Sequence, residues 1–317
     1  MAPRLVLVHG IGGPRQAGLE RRRWIAALAR GARKAGHSVA ADQLADGTLA
    51  DVVYAYYGDL FQRAQSQGTA DGELSAEEAV LLAGFLTEMI EQQRGEPGVD
   101  GAYLDRAMAR LRPPGQAQGT MGVVRSAIDA ATTLLDAGPW RDGGQWISGK
   151  LLVGDLSQVA RYLARGETGS DGRSLDQRIR AVVAAAAGQG PAVIIAHSLG
   201  TVVTFEALHE HRGDVPLWVT LGSPLAMRSV VWPKLRPAPP ATPAPVRRWL
   251  NYWDRDDVIT ARPLLEHSFL PNASGVRPES DRVDSDGIWV HDAVKYLAKA
   301  EVAGPVMEAL LSLVKAL

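Results

Sequence analysis

The sequence contains no cysteine, which excludes disulfide bonds and metal sites built on thiolates. It also lacks an excess of one charge, since 34 basic and 35 acidic residues give a formal net charge of −1. Proteins that bind nucleic acid through its phosphates carry a basic patch, whereas the two signs are mixed along this chain. We therefore expect no nucleic-acid partner.

Long apolar runs are missing too. A transmembrane helix needs about 20 consecutive apolar residues, whereas the segment 79–86 is too short and the segment 123–135 contains Arg125 and Asp129. The first residues lead directly into an apolar run at Leu5, without the pattern of a signal peptide. These features predict a cytoplasmic protein, and they leave its oligomeric state open.

Hydrophobic residues make up 46% of the 317 residues and charged residues 22%, a composition that can bury a substantial core. Short apolar runs alternate with segments whose apolar residues recur at helical spacing, which is typical of a parallel sheet covered by helices. We therefore predict an α/β fold with a doubly wound, mainly parallel sheet. Strands are expected at 5–8, 52–57, 192–196, 217–221 and 246–252, and helices at 20–34, 175–187, 199–211, 292–300 and 305–316.

The strand pattern disappears over residues 62–174. Helical patterns replace it, and the first starts at Ser75, where Glu78 completes the spacing of a capping box. We interpret this region as a large helical insertion, a cap or lid within the same domain, while residues 1–61 and 175–317 form the core. Its apolar helix faces could line a lipid-binding groove at a membrane surface or pack on the sheet. Further helices are predicted at 101–111, 123–137 and 151–164.

One predicted turn joins a buried strand to a helix through a serine, in Ala196-His197-Ser198-Leu199-Gly200. A serine on such a sharp turn projects its hydroxyl clear of the sheet, next to the amide groups at the N-terminus of the helix. The residues two before and two after it must be small, because strand and helix approach closely there, and Ala196 and Gly200 meet this condition. The pattern predicts that Ser198 is a nucleophile, although a serine that only caps the helix would give the same string.

A glycine-rich segment, His9-Gly10-Ile11-Gly12-Gly13, directly follows the first predicted strand. Glycines in this place bring backbone N–H groups close to a substrate carbonyl. We expect the N–H of Ile11 or Gly12, together with that of Leu199, to form an oxyanion hole, and we expect His9 to shape the loop. A phosphate-binding turn is the alternative, but the third glycine at the required spacing and the lysine of a P-loop are both missing.

A serine nucleophile needs a base and an acid, and in a sheet of this kind the acid follows the serine and the histidine follows the acid. Four histidines lie downstream of Ser198. His209 and His211 share its helix and are expected at the surface, and His267 lies in a polar loop. His291 directly precedes a predicted helix, and we predict that it is the base.

The acid is expected in Asp254-Arg255-Asp256-Asp257, at the end of a predicted strand. Three carboxylates so close raise one another's pKa, so only one should point at the histidine. The apolar pair Val258-Ile259 follows Asp257 and would hold that carboxylate inward. We predict Asp257 as the acid, with Asp256 as the alternative before Asp254, and we expect the two remaining aspartates in a solvated turn.

A metal site built on the helix of the serine is a further alternative. Glu206, His209 and His211 could supply ligands, but no other histidine or cysteine cluster supports them. We therefore expect no metal ion in this place.

Five segments carry a resemblance to a known family, namely His9–Gly13, Ala196–Gly200, Leu221-Gly222-Ser223-Pro224-Leu225, Asp254–Val258 and His291 with Tyr296-Leu297. They resemble the α/β-hydrolase superfamily, within it the lipase and esterase branch that includes the GPI inositol-deacylase-like proteins. Some bacterial lipases likewise have alanine at the first position of the serine turn. The resemblance covers residues 4–59 and 175–317, and it implies a serine hydrolase without a metal or cofactor. Gly222 and Ser223 are interpreted as structural.

The expected activity is cleavage of a carboxylic ester by a Ser-His-Asp triad through an acyl-enzyme, on a small-molecule or lipid-like acyl substrate. An acyltransferase or a thioesterase would use the same triad, and a peptidase or amidase would in addition protonate an amine leaving group. A non-catalytic binding member of the fold is the alternative of a different class. Such a protein would not need Ser198, Asp257 and His291 together.

Overall fold

The computed structural model describes residues 2–10, 16–61, 75–96, 98–111, 120–137, 149–257, 259–260, 262–284 and 291–316. No helix in this part of the chain has the length and apolar character that a membrane crossing requires. The strands are β1 (Arg4–Val8), β2 (Asp51–Ala55), β3 (Ala192–His197), β4 (Leu217–Leu221), β5 (Trp249–Trp253) and β6 (Pro278–Arg282). The helices are α1 (Ala17–Lys34), α2 (Ser38–Ala45), α3 (Ala76–Gln92), α4 (Gly101–Leu111), α5 (Thr120–Leu135), α6 (Gly149–Ala164), α7 (Leu175–Ala187), α8 (Leu199–Glu210), α9 (Ala293–Leu297) and α10 (Ala300–Ala316).

The strands form one six-stranded sheet in the order β2-β1-β3-β4-β5-β6, and every neighbouring pair is parallel. This arrangement confirms the predicted doubly wound α/β fold. The chain runs from β1 to β2 on one side and then crosses over to β3 on the other side of β1. The loops that leave the carboxyl ends of β1 and β3 therefore diverge, and such a switch point is where open α/β sheets bind ligands.

Helices cover the sheet on both faces, as continuous apolar strands require. Side chains alternate along β1, so that Leu5 and Leu7 join one buried cluster while Val6 and Val8 join the other. The first cluster includes residues of α1, α2, α9 and α10, and the second includes residues of α7, α8 and the helices α3 to α6. The strand ends are thus fixed between two layers of helices.

Helices α3 to α6 follow β2 and pack against one another. The first begins as predicted, because Ser75 Oγ accepts the Glu78 N–H at 3.2 Å and the Glu78 carboxylate accepts the Ser75 N–H at 2.8 Å. Glu88, also on α3, accepts the backbone N–H groups of Arg228 and Ser229 at 2.7 and 2.9 Å. These bonds tie the helices to the segment after β4. Their role as a cap, and the division of the chain into core and insertion, stay predictions.

Two elements, α2 and β6, were not expected from the sequence. Helix α2 has eight residues, too few for a clear period, and it packs on α1. Strand β6 consists of Pro278-Glu279-Ser280-Asp281-Arg282 and pairs with β5 at the edge of the sheet. An edge strand tolerates both proline and charged residues, so it lacks the apolar pattern that reveals inner strands.

The last helix, α10, contains Pro305, where the sequence predicts a helix start. Proline has no N–H, so the carbonyl of Glu301 four residues earlier loses its helical donor. The hydroxyl of Tyr252 on β5 donates to this carbonyl at 2.6 Å. A side chain from the sheet thus replaces the missing hydrogen bond, and the helix continues through the proline.

Candidate active site

Ser198 lies on a strained turn between β3 and α8. It has φ 53° and ψ −129°, with His197 as the last residue of β3 and Leu199 as the first of α8. A positive φ is unfavourable for residues other than glycine and persists where neighbouring bonds hold it. The Ser198 N–H donates to the Leu221 carbonyl at 3.0 Å, and its own carbonyl accepts the Thr201 N–H at 2.9 Å. The end of β4 and the first turn of α8 therefore fix the serine from two sides.

Two glycines allow the backbones around this turn to approach each other. A Cβ atom on Gly200 would overlap the carbonyl oxygen of His9, so α8 begins in direct contact with the residue after β1. A Cβ atom on Gly10 would lie 2.5 Å from Ser198 Cβ, well inside van der Waals contact. A side chain at either position would push the loop after β1 away from the serine.

The predicted base lies next to the predicted nucleophile. His291 Nε2 is 2.9 Å from Ser198 Oγ, and His291 Nδ1 is 2.8 Å from Asp257 Oδ2. An ionised carboxylate can only accept, so Nδ1 carries the proton and Nε2 accepts the hydrogen bond from the serine hydroxyl. His291 directly precedes Asp292, the N-cap of α9, whose side chain accepts the Val294 N–H at 3.0 Å. The capped start of this helix holds the imidazole in place.

Of the three neighbouring aspartates, Asp257 meets the histidine. Its Oδ2 faces His291, and its Oδ1 accepts the N–H of Ile259, which is buried. Asp256 has 41% of its side chain exposed. The expectation of a solvated Asp254 is wrong, because this residue is buried and its Oδ1 accepts the Asp256 N–H at 2.9 Å. A tight turn needs an acceptor for its own backbone, and aspartate commonly supplies it.

A tyrosine without a predicted role lies behind the acid. The Tyr296 hydroxyl donates to Asp257 Oδ2 at 2.7 Å and accepts the Asp254 N–H at 3.1 Å. Tyr296 is fully buried, and this burial together with the charge of Asp257 raises the pKa of its hydroxyl well above the usual range. It shares the buried face of α9 with Ala293 and Leu297. A polar ring on that otherwise apolar face is the sequence signal that could have indicated it.

Gly222 and His197 also contact the acid–base pair. Gly222 has φ 54°, and a Cβ atom there would lie 2.8 Å from Asp257 Oδ2 and 3.1 Å from His291 Nδ1. Only a residue without a side chain therefore fits at this position directly after β4. The His197 ring lies 4.6 Å from the His291 ring at an angle of 39°, and it also neighbours the rings of Trp24, in an edge-to-face arrangement, and of Tyr296. The sequence motifs include both residues, but no pattern assigns them to the base.

Leu199 is the described member of the expected oxyanion hole. It is the first residue of α8, and the first amides of a helix have no acceptor within it. Ile11 and Gly12, the other expected donors, lie outside the described residues. The start of their loop is fixed by His9, whose Nε2 accepts the Tyr57 N–H at 3.1 Å and whose ring stacks on that of Tyr57 at 4.1 Å. His9 thus joins the loop to the segment after β2, which agrees with a structural role.

The other downstream histidines are remote from Ser198. His209 and His211 lie about 16 Å or more from Ser198 along the axis of α8. Both are half-buried, and this burial lowers the pKa of both. His209 packs on Phe205 at the end of the helix. His267 is exposed in a short 3-10 turn after β5.

A cavity of about 360 Å³ opens beside His291, within the size range of small-molecule sites. Its described wall is charged, because it contains Glu20 and Arg23 of α1, Asp155 of α6 and Asp292 before α9. Arg23 Nη1 donates to Glu20 Oε1 at 2.8 Å, and this hydrogen bond raises the pKa of the guanidinium. Three carboxylates accompany one guanidinium, so the described wall carries a net charge of −2.

The chain has no match among the family models, the curated proteins and the solved structures with which it was compared. The parallel six-stranded sheet is therefore established by the structure itself, and the family resemblance of the motifs stays a prediction. The chemistry of the site has to be inferred from its own geometry.

Proposed function

We propose that the protein is a serine hydrolase that cleaves a carboxylic ester. The observation that carries this proposal is one row of hydrogen-bonded atoms, in which 2.9 Å separates Ser198 Oγ from His291 Nε2 and 2.8 Å separates His291 Nδ1 from Asp257 Oδ2. A serine becomes a nucleophile when a base accepts its proton, and imidazole does so near neutral pH when a carboxylate stabilises its charged form. The position of the row at the switch point of the sheet further supports a ligand-binding role.

In the proposed reaction, His291 Nε2 takes the hydroxyl proton as Ser198 Oγ attacks the carbonyl carbon of the ester. The negative charge on the carbonyl oxygen develops near the N-terminus of α8, where the Leu199 N–H donates to it. The tetrahedral intermediate collapses, the alcohol leaves with the proton from His291, and the acyl group stays on Ser198. Water then attacks the acyl carbon and gives a proton to His291. The bond between the acyl carbon and Ser198 Oγ breaks, His291 returns the proton to Ser198 Oγ, and the carboxylic acid is released.

We assign the chain, as part of this proposal, to the lipase and esterase branch of the α/β-hydrolase superfamily. Support comes from the order of the site residues, since the nucleophile follows β3, the acid follows β5 and the base precedes α9. Helices α3 to α6 would act as a cap in this assignment. The support for the cap is that Asp155 of α6 lines the cavity beside His291.

The charged wall of the cavity favours a short, polar ester over a long acyl chain. Methylene groups placed against Glu20, Arg23 and Asp155 would remove water from these charges without replacing its hydrogen bonds. We expect kcat/KM for p-nitrophenyl esters to be highest for acetate and to fall steadily towards laurate. A rise towards laurate would contradict this part of the proposal.

Fluorophosphonates react covalently with activated serines and therefore test the nucleophile directly. The wild-type protein should be labelled, and the Ser198→Ala variant should not. Ser223→Ala is the matched control, because this serine follows the neighbouring strand β4 and its Oγ contacts Thr201 Oγ1 at 2.9 Å. Its labelling should persist, whereas His291→Ala should lower kcat for an ester roughly a thousandfold or more. Equal labelling of the wild type and Ser198→Ala, or of neither, would refute the proposal.

A further inference from the structure

We infer that Tyr296 is a positioning residue. Its hydroxyl donates a hydrogen bond to Asp257 and so sets how much negative charge this carboxylate presents to His291. The part of this inference that concerns turnover rests on the proposed function. The link between the Tyr296 hydroxyl and the proton affinity of His291 is a property of the folded protein, and it can be measured without any activity.

Two hydrogen bonds hold the Tyr296 hydroxyl between the two ends of the acid turn. It donates to Asp257 Oδ2 at 2.7 Å, and the same oxygen accepts the His291 Nδ1–H at 2.8 Å. It also accepts the Asp254 N–H at 3.1 Å. A rotation of the carboxylate away from His291 would break the bond to Tyr296 as well. The hydroxyl therefore restricts Asp257 to the orientation that the base requires.

One short segment of chain supplies both donors to this carboxylate oxygen. His291 lies two residues before α9 and Tyr296 lies within it. The imidazole exchanges its proton during the proposed reaction, whereas the phenol keeps its proton, because burial and the nearby Asp257 raise its pKa. The hydroxyl is thus a donor throughout the pH range of an ester assay.

A hydrogen bond from a neutral hydroxyl draws negative charge away from a carboxylate. Without this bond, Asp257 would present more of its charge to His291, and a stronger opposite charge raises the pKa of an imidazole. A change confined to the phenol oxygen removes none of the other charged or titratable side chains near the pair, although the Asp254 N–H loses its acceptor. These groups are Asp254, His197 and Asp292, and, in the wall of the cavity beside His291, Glu20, Arg23 and Asp155.

Tyr296→Phe removes the hydroxyl and keeps the ring. Tyr162→Phe is the matched control, because Tyr162 is also fully buried and donates to a carboxylate, that of Glu206, at the same 2.7 Å. The pKa of His291 is read from an NMR titration of its Cε1–H, assigned by the loss of that signal in His291→Gln. We expect this pKa to rise by roughly one unit in Tyr296→Phe and to stay at the wild-type value in Tyr162→Phe.

Turnover gives a second readout. The acidic limb of kcat/KM against pH reports the base in the free enzyme, so it should move to higher pH in Tyr296→Phe by the same amount. Because the carboxylate is less well held, kcat should fall about tenfold. Neither quantity should change in Tyr162→Phe. Both variants lose a buried hydroxyl, so a loss of thermal stability shared by both is the purely structural effect. The changes in pH profile and kcat should occur in Tyr296→Phe alone.

An unchanged His291 pKa in folded Tyr296→Phe would overturn the inference, and so would an equal shift in Tyr162→Phe. A shifted pKa in a protein that hydrolyses no ester would sustain the link and refute the proposed function instead. If Tyr296→Phe does not fold, 3-fluorotyrosine at position 296 reverses the sign of the test. Fluorine makes the phenol a stronger donor, so the His291 pKa should fall, and a rise or no change would overturn the inference.

Discussion

Two buried clusters of ionisable groups lie along helix α8. Ser198, directly before the helix, belongs to a cluster with His291 and Asp257. Glu206, about two turns further along α8, belongs to a second cluster with Tyr162 and two arginines. In each cluster a buried tyrosine hydroxyl donates to a carboxylate at 2.7 Å. Burial and hydrogen bonding are therefore alike in the two places, and the difference lies in what else the carboxylate meets.

In the Glu206 cluster, permanent cations face the carboxylates. Glu206 lies 2.5 Å from Arg165 and 3.2 Å from Arg180, and Asp176 lies 2.7 Å from Arg180. Burial lowers the pKa of the Arg180 guanidinium, but the neighbouring Tyr162 and Asp176 outweigh this effect and raise it. Two carboxylates and two guanidiniums balance each other, and an arginine exchanges no proton near neutral pH. This cluster can hold α6, α7 and α8 together, but it offers no acid or base.

In the Asp257 cluster, the partner of the carboxylate is an imidazole whose charge depends on pH. Its second nitrogen faces a hydroxyl on a strained turn. The comparison teaches that buried charge alone does not mark a candidate catalytic site, and that the proposal for the Asp257 cluster depends on an exchangeable proton beside the Ser198 hydroxyl. It also explains why Glu206, a conceivable metal ligand in the sequence, is not one of the groups proposed for chemistry.

The largest effect on turnover should follow from neutralising Asp257 in the Asp257 cluster. In Asp257→Asn the amide no longer stabilises the charged imidazole and can impose the wrong tautomer, so kcat for an aryl ester should fall roughly 10³- to 10⁴-fold. Asp256→Asn is the matched control, because this side chain is 41% exposed and its neighbour occupies the position beside His291. Near-wild-type kcat in Asp257→Asn would show that Asp257 is not the acid.

The choice of Asp257 among its neighbours illustrates how much of the site could be predicted from the sequence. The sheet was predictable because short segments show its pattern, in which apolar runs alternate with helical periods. The proximity of Ser198, Asp257 and His291 was predictable because each lies in a short segment next to a predicted strand or helix. The contact of Tyr296 with Asp257 joins residues 39 positions apart and depends on how α9 lies against the acid turn. The Glu206 cluster likewise draws its charges from α7, from α8 and from Arg165 directly after α6, so its balance exists only in the packed structure.

The next largest effect should come from unbalancing the second cluster. Arg165→Met leaves the Glu206 carboxylate buried with one guanidinium fewer, which should cost about 3–5 kcal/mol in the free energy of unfolding measured with urea. The rate of fluorophosphonate labelling of the folded variant should stay at the wild-type value.

Arg247→Met is the control for that experiment. Arg247 pairs with Asp214 at 2.7 Å, but 63% and 41% of the two side chains are exposed, so the loss should be about 1 kcal/mol or less. If Arg165→Met lowered the free energy of unfolding by no more than Arg247→Met does, the Glu206 cluster would not stabilise the fold as its geometry indicates.

A smaller effect on activity should come from Gly222→Ala. The added methyl group would lie 2.8 Å from Asp257 Oδ2 and would separate the acid from His291, so kcat should fall about a hundredfold. Gly172→Ala is the matched control, since Gly172 also has a positive φ, of 74°, but has open space around the added atom. Both variants should lose stability through backbone strain, and only Gly222→Ala should lose activity. Equal kcat in the two variants would contradict the crowding at Gly222.

The smallest expected effect concerns acid pH and tests the charges of the Glu206 cluster by stability alone. Burial raises the pKa of the Asp176 carboxyl, but hydrogen bonds from Ser174 and Arg180 outweigh this and hold it below the usual 3.8. A lowered folded-state pKa means that the stability contribution is complete above pH 3.8 and is lost as the pH falls through the folded-state value. The free energies of unfolding of the wild type and Asp176→Asn should therefore differ most near pH 7 and converge in acid. For Asp105→Asn, which removes a pair with Arg94 that is 47% and 68% exposed, the difference should be small at every pH. A gap between the wild type and Asp176→Asn that stayed constant into acid would mean that packing, and not charge, accounts for the second cluster.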